Sequence, residues 1–331
     1  MKHDFSIASL GECRIDTPLS ISHFVSDEDR ILFNTRLDNH ADLKDAKGRP
    51  LSVESAGPRK IIYFDPVRTK AAIVTCGGLC PGINDVIRSI TMTLYYRYGV
   101  TDILGIRYGL RGLNPTFGHE PVELTPDFVK DITYIGGSIL STSRGPQDAG
   151  VMVDYLQRLN INILFCVGGD GTMRAAEKLT AEITARGLKI AVIGIPKTID
   201  NDLNLIEKSF GFDTAIEKTV QAVRSAHVEA KGSFNGIGLV KIMGRLSGYI
   251  TATAALAQGD ANFVLIPEVP FDLHGERGFL RALEKRMINR GHAVILVAEG
   301  AGQDILRKDY DERKTDASGN IRLQDIGLFL K

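Results

Sequence analysis

The sequence predicts an α/β fold of two Rossmann-like, three-layer αβα subdomains with mostly parallel sheets, and three observations carry that expectation. Short, continuously apolar runs of strand length recur along the chain. Stretches with apolar residues at helical spacing separate them, and glycine-rich or charged turns follow the runs. Strands buried on both faces read as unbroken apolar runs, and their alternation with amphipathic helices makes the sheets parallel.

In chain order, residues 1–69 are polar, with short apolar patches at Ile31–Phe33 and Ile61–Phe64 and turn chemistry at Lys47-Gly48-Arg49-Pro50 and Gly57-Pro58. They read as an N-terminal extension, either packed across the main body or a partner subunit, or partly disordered. Regular alternation begins at residue 70. Strands are expected at 71–75, 102–106, 162–167, 189–195, 237–242, 263–266 and 293–298, with helices at 84–98, 171–186, 215–228, 247–257 and 275–289. The 331 residues suit about two domains of 100–200 residues. The expected division is 70–205 and 206–331 as two subdomains.

Composition excludes several classes. Forty basic residues balance forty acidic ones, so a global polyanion-binding surface is not expected, and neither is nucleic acid as a partner. Four cysteines (Cys13, Cys76, Cys80, Cys166) at uneven spacing make neither a disulfide framework nor a zinc site. The first residues lack the apolar core of a secretory leader, and no run approaches the roughly 20 apolar residues that cross a bilayer. A reducing, cytoplasmic setting without membrane contact is the expectation.

In sheets of this kind ligands bind in the crevice outside the carboxyl ends of the strands, so the residues that follow the strands are informative. After the first comes Cys76-Gly77-Gly78-Leu79-Cys80-Pro81-Gly82-Ile83-Asn84, where two glycines let the backbone approach a bulky anion beside a helix N-terminus. A plain tight turn is the alternative. After the third comes Gly168-Gly169-Asp170-Gly171-Thr172. A carboxylate among glycines can hold Mg²⁺ while the surrounding N–H groups face phosphates; capping the next helix is the alternative for Asp170, and the concentration of glycines favours the ligand role. After the fourth comes Pro196-Lys197-Thr198-Ile199-Asp200-Asn201-Asp202. Phosphoryl transfer needs these parts: a cation for the phosphates, a hydroxyl donor and a carboxylate to receive the nucleophile's proton. Arg144, Met243-Gly244-Arg245 and Glu299-Gly300 also fall at strand or loop ends and read as crevice residues.

Gly77-Gly78 with Pro81-Gly82-Ile83-Asn84, GGDGT at 168–172, PKTIDND at 196–202, MGR at 243–245 and Glu299-Gly300 together resemble the phosphofructokinase family, in the family's order, over about residues 60–305. GGDGT alone is shared with NAD and diacylglycerol kinases; PKTIDND together with MGR is specific. The resemblance implies transfer of the terminal phosphoryl of ATP to the 1-hydroxyl of fructose 6-phosphate by in-line attack. Asp200 then matches the catalytic base, assisted by Thr198 and Arg144. Asp170 matches the magnesium-associated aspartate. Gly77, Gly78, Gly169, Gly171, Thr172 and Lys197 match donor-binding positions. Thr198, Asp202, Met243, Gly244, Arg245 and Glu299 match positions that hold the sugar phosphate. Homo-oligomers, dimers or tetramers, are usual for the family.

Gly171 matches ATP use, because an aspartate there accompanies pyrophosphate, whereas Lys197 is typical of pyrophosphate enzymes. The pair resembles an ATP-using plant and kinetoplastid subgroup. A pyrophosphate-dependent phosphotransferase is the alternative, and a non-catalytic nucleotide-binding or oligomer-building subunit is a reading of another class. Two departures stand out. Lys231–Gly236 lacks the arginine that bacterial members extend to a neighbouring sugar site. The chain also stops at Lys331 within a helical pattern (321–330), after the polar stretch 307–320, where the family continues with further arginine and histidine ligands. The expectation is a fragment of a longer enzyme with an incomplete sugar site; a truncated gene product that has lost activity is the alternative.

Overall fold

The computed structural model describes residues 9–33, 50–306, 315 and 321–331. The expected turn at 47–49 and most of the polar stretch 307–320 lie outside the described residues. Within the extension, β1 (Ile15–Asp16), β2 (Arg30–Leu32), β3 (Ser52–Glu54) and β4 (Ile61–Ile62) form two antiparallel pairs, β1 with β4 and β2 with β3. The Lys189 ammonium donates to the Leu10 carbonyl at 2.5 Å, so the described part of the extension touches the main body.

The first large sheet contains β5 (Lys70–Thr75), β6 (Asp102–Ile106), β7 (Val122–Glu123), β8 (Ile163–Gly168) and β9 (Ala191–Pro196), in the order β7-β6-β5-β8-β9. Four strands are parallel; β7 is an antiparallel edge strand. Central β5 is buried along nearly its whole length because helices cover both faces. Side chains alternate across a strand, so Ala71 and Ile73 face one helical layer while Ala72 and Val74 face the other. The first layer holds α1 (Ile83–Thr93) and α2 (Pro126–Val129); the second holds α3 (Ala149–Arg158) and α4 (Asp170–Ala185). Helix α1 buries Ile83, Ile87 and Thr91, four residues apart, as its sequence period requires. The helical pattern expected through Tyr98 does continue, but as a π-helical turn over Leu94–Tyr98 that ends at Gly99.

The second sheet runs β10 (Ile237–Ile242), β12 (Ala293–Ala298), β11 (Phe263–Leu265), all parallel. On β12, Val294 and Leu296 pack against α5 (Phe212–Gly232) and α6 (Tyr249–Gln258). Ile295 and Val297 face the other layer, with Phe279 of α7 (Phe279–Arg290) and Ile326, which lies beyond α8 (Gln303–Leu306) in α9 (Ile326–Leu330). The fold is α/β with mostly parallel sheets. Helix α7 begins later than the pattern from 275 suggests, since Gly275 takes a left-handed φ of 97° and the helix starts after Gly278. Helix α9 occupies only the last part of the 321–330 pattern, because the Asp325 carboxylate caps it from the Leu328 N–H.

Candidate active site

Register brings the strand ends together. Thr75 pairs with Val167 and Gly168 with Pro196, so the loops after β5, β8 and β9 open on one edge of the first sheet. Ile242 pairs with Ala298, and β11 runs parallel beside β12, so the loops after all three strands of the second sheet share its corresponding edge. The 196–209 loop crosses between the two sheets: Ile199 packs against the core under α1 and also against the core under α5.

Around the first sheet's edge, Lys197 is buried and its ammonium donates to the Gly78 carbonyl at 2.7 Å, tying the β9 loop to the glycine turn after β5. Burial lowers the Lys197 ammonium below its ordinary value; the Cys80 and Cys76 thiols pull it back and the Arg144 charge lowers it further. The Arg144 guanidinium lies beside Gly78, 3.8 Å from where a Cβ would stand. Two cations that repel each other across a glycine turn form a site that an anion relaxes. Burial pushes the Cys76 thiol up to about 11 and raises Cys80 and Cys166 as well, so these thiols stay protonated.

Asp170 is the first residue of α4 rather than its cap; Gly169 occupies the cap position without a side-chain bond. The Asp170 carboxylate pairs with Arg174 one turn on, and 60% of its side chain is exposed. Buried Thr172 packs onto Gly168, whereas a Cβ placed on Gly171 would meet nothing within 4 Å. Open space therefore begins at Gly171.

The second cluster centres on Asp200. Burial, with Asp202 and Glu299 adding repulsion, raises its carboxyl to about 6 against a pull downward from Arg245. Its Oδ1 is buried without a hydrogen-bond partner among the described residues. The Thr198 hydroxyl donates to Asp202 at 2.9 Å and accepts from the Asp200 N–H at 3.2 Å. The Met243-Gly244-Arg245 turn and Glu299-Gly300 pack directly together. A Cβ on Gly300 would stand 1.7 Å from the Arg245 carbonyl, and the Gly300 N–H donates to Gly244 at 3.0 Å. The Arg245 guanidinium also reaches the Ile321 carbonyl, and Met243 is largely exposed.

The structure thus gathers Asp200, Asp202, Thr198, Glu299 and Arg245 in one group, and Lys197, Arg144, Gly77 and Gly78 in another, with Asp170 engaged by Arg174. Three residues that sequence reasoning missed belong beside them. The Ser209 hydroxyl accepts from the Thr198 N–H at 2.8 Å, and the Ser209 N–H donates to the Asn201 side chain at 2.8 Å, closing the loop on itself. The Ser247 hydroxyl donates to the Asp200 carbonyl at 3.0 Å. Glu268 accepts from the Gly248 N–H at 2.7 Å. It follows β11 within a few residues, so the strand-end rule that found Glu299 reaches it too.

Strand-end loops of an α/β fold that gather two cations in one cluster and a buried carboxylate in another have the parts that phosphoryl transfer uses. Residues 70–328 match the family described as Phosphofructokinase, and the chain belongs to that family. An "ATP-dependent 6-phosphofructokinase" of Borreliella burgdorferi is 49% identical, over 99% of this chain and 75% of that protein. An "ATP-dependent 6-phosphofructokinase 7" of Arabidopsis thaliana is 50% identical over 85% of this chain and 58% of that protein. Among solved structures, the phosphofructokinase of Pichia pastoris in the T-state superposes with a TM-score of 0.62 at 25% identity, over 73% of this chain and 27% of that one. Among the described residues, no helix is long and apolar enough to cross a membrane.

Proposed function

We propose that this chain is an ATP-dependent 6-phosphofructokinase, and that Asp200 is its base. The single observation that carries the reading is the buried Oδ1 of Asp200, without a hydrogen-bond partner among the described residues and facing Arg245, Asp202 and Glu299, on the same loop that places Lys197 beside Arg144. The carboxylate takes the proton of the sugar's 1-hydroxyl as that oxygen bonds to the terminal phosphorus. The bond from that phosphorus to the bridging oxygen breaks, and ADP leaves. Lys197 and Arg144 neutralise phosphate charge throughout. Arg245, Thr198, Asp202, Met243, Gly244 and Glu299 line the sugar side; Gly77, Gly78, Gly169, Gly171 and Thr172 line the donor side.

Mg²⁺ fits the donor set. This ion uses one or two carboxylates together with substrate phosphates rather than an all-protein cage, and Asp170 offers one exposed carboxylate at the phosphate loop. When bound, it supplies charge neutralisation on the donor phosphates. The open space at Gly171 supports ATP over pyrophosphate. A cytoplasmic homo-oligomer, with the 70–205 and 206–331 parts holding donor and sugar respectively, completes the proposal.

The test offers fructose 6-phosphate and Mg²⁺ with ATP or pyrophosphate in parallel and measures fructose 1,6-bisphosphate. Product with ATP alone is expected. Product with pyrophosphate alone would overturn the donor assignment, and bound ATP without product would place the chain among non-catalytic members.

A further inference from the structure

We propose that Ser247 is a positioning residue for this reaction: a buried hydroxyl from the loop after β10 that holds the base Asp200 in place across the joint between the two sheets.

Backbone hydrogen bonds fix the Asp200 carboxylate. Its Oδ1 has no hydrogen-bond partner among the described residues, so that oxygen is held by no bond of its own. Its position follows from the backbone of residue 200, and hydroxyls grip that backbone on both sides. The Asp200 N–H donates to Thr198 within its own loop at 3.2 Å. The Asp200 carbonyl accepts from Ser247 at 3.0 Å, a contact made 47 residues away in sequence. Ser247 is only 5% exposed, so water does not easily replace that bond.

Ser247 is also fixed at its own end. Its hydroxyl accepts from the Tyr249 N–H at 3.3 Å at the start of α6. Its carbonyl lies against Gly244, 2.3 Å from where a Cβ would stand, so the Met243-Gly244-Arg245 turn and Ser247 form one packed unit. This hydroxyl therefore links the turn carrying Arg245 to the backbone carrying the base. Arg245 supplies the attractive charge that faces Asp200, while Asp202 and Glu299 repel it.

This inference rests on the proposed kinase reading, and the experiment separates the two. Ser247→Ala, Ser247→Cys and Ser247→Thr are compared with the parent for kcat, KM and the pH profile with fructose 6-phosphate and ATP. Cysteine keeps the volume but donates weakly, and threonine keeps the hydroxyl. The alanine and cysteine variants are expected to lose kcat by about fivefold to tenfold, the rate equivalent of one hydrogen bond. Their KM for ATP should stay near the parent's, the acidic limb should move to higher pH as Asp200 drifts from Arg245, and threonine should restore all three. Alanine and cysteine variants with the parent's kcat and acidic limb would overturn the proposal.

A readout independent of turnover follows thermal unfolding against pH for Ser247→Ala with and without Asp200→Asn. The pH above which the stabilisation by the Asn substitution levels off reports the folded-state Asp200 carboxyl. An upward move in the Ser247→Ala background supports the proposal even if the parent forms no sugar bisphosphate, an outcome that would sink the kinase reading instead. An unmoved value overturns the proposal.

Discussion

At Asp200, burial and repulsion from Asp202 and Glu299 oppose the attraction of Arg245, and the carboxyl settles near 6. A group whose folded value lies above its unfolded value costs stability once ionised, and that cost grows as pH rises through the interval between the two. Asp200→Asn is therefore expected to raise the unfolding temperature at pH 8, with the gain shrinking as pH falls below 6 and vanishing below about 4. An Asn variant no more stable than the parent at pH 8 would contradict this electrostatic picture. At Gly171 the expectation is steric and electrostatic. Aspartate fits the first turn of α4 without strain, because a Cβ meets nothing within 4 Å and acids suit a helix N-terminus. It places a like charge where the donor's phosphates pass, so Gly171→Asp should keep the fold and lose about 100-fold in kcat/KM for ATP. A small loss would place the nucleotide elsewhere.

The element that organises the site is the 196–209 loop. Asn201 holds it closed: its side chain accepts from the Ser209 N–H and donates to the Glu207 carbonyl at 3.0 Å, and its own φ is 53°. Asn201→Ala removes both bonds and leaves a residue ill suited to that conformation, so it should cost about 2 kcal/mol of stability and lower kcat more than the KM for ATP. Urea unfolding and steady-state kinetics check the two effects together; a full loss of ATP binding with normal stability would contradict the clamp. This loop also marks the limit of sequence reading. Lys197, Thr198, Asp200 and Asp202 stood out because chemistry-bearing residues crowd one strand end. Ser209 and Ser247 did not, because their roles arise from hydrogen bonds spanning 11 and 47 residues, which leave no local pattern. Helix α3 went unread although Asp148 caps it and Met152, Val153 and Leu156 are buried along it. Its start is masked by the polar, glycine- and proline-containing segment 144–148, which reads as loop. Strand β7, two residues long, is too short to produce any periodicity.

Across the whole molecule, the legible strands are the apolar runs of the two parallel sheets, from β12, buried throughout, to the half-exposed edge strand β10. Strands β6, β10 and β12 fall where the sequence placed them. What joins the two sheets was not legible, since it depends on one loop that packs into both cores through Ile199 and on the Ser247 contact. On the function proposed above, this joint presents Asp200 as the base for phosphoryl transfer from ATP to fructose 6-phosphate. The most direct measurement is the pH dependence of kcat/KM for fructose 6-phosphate in the parent and in Asp200→Asn. The parent profile is expected to fall as pH drops below about 6, when the base becomes protonated, and the Asn variant to lie about 10² to 10⁴-fold lower at pH 8 and to lack that acidic limb while still binding ATP. An Asn variant that retains the parent's rate, or a parent rate unchanged between pH 5 and 8, would contradict it.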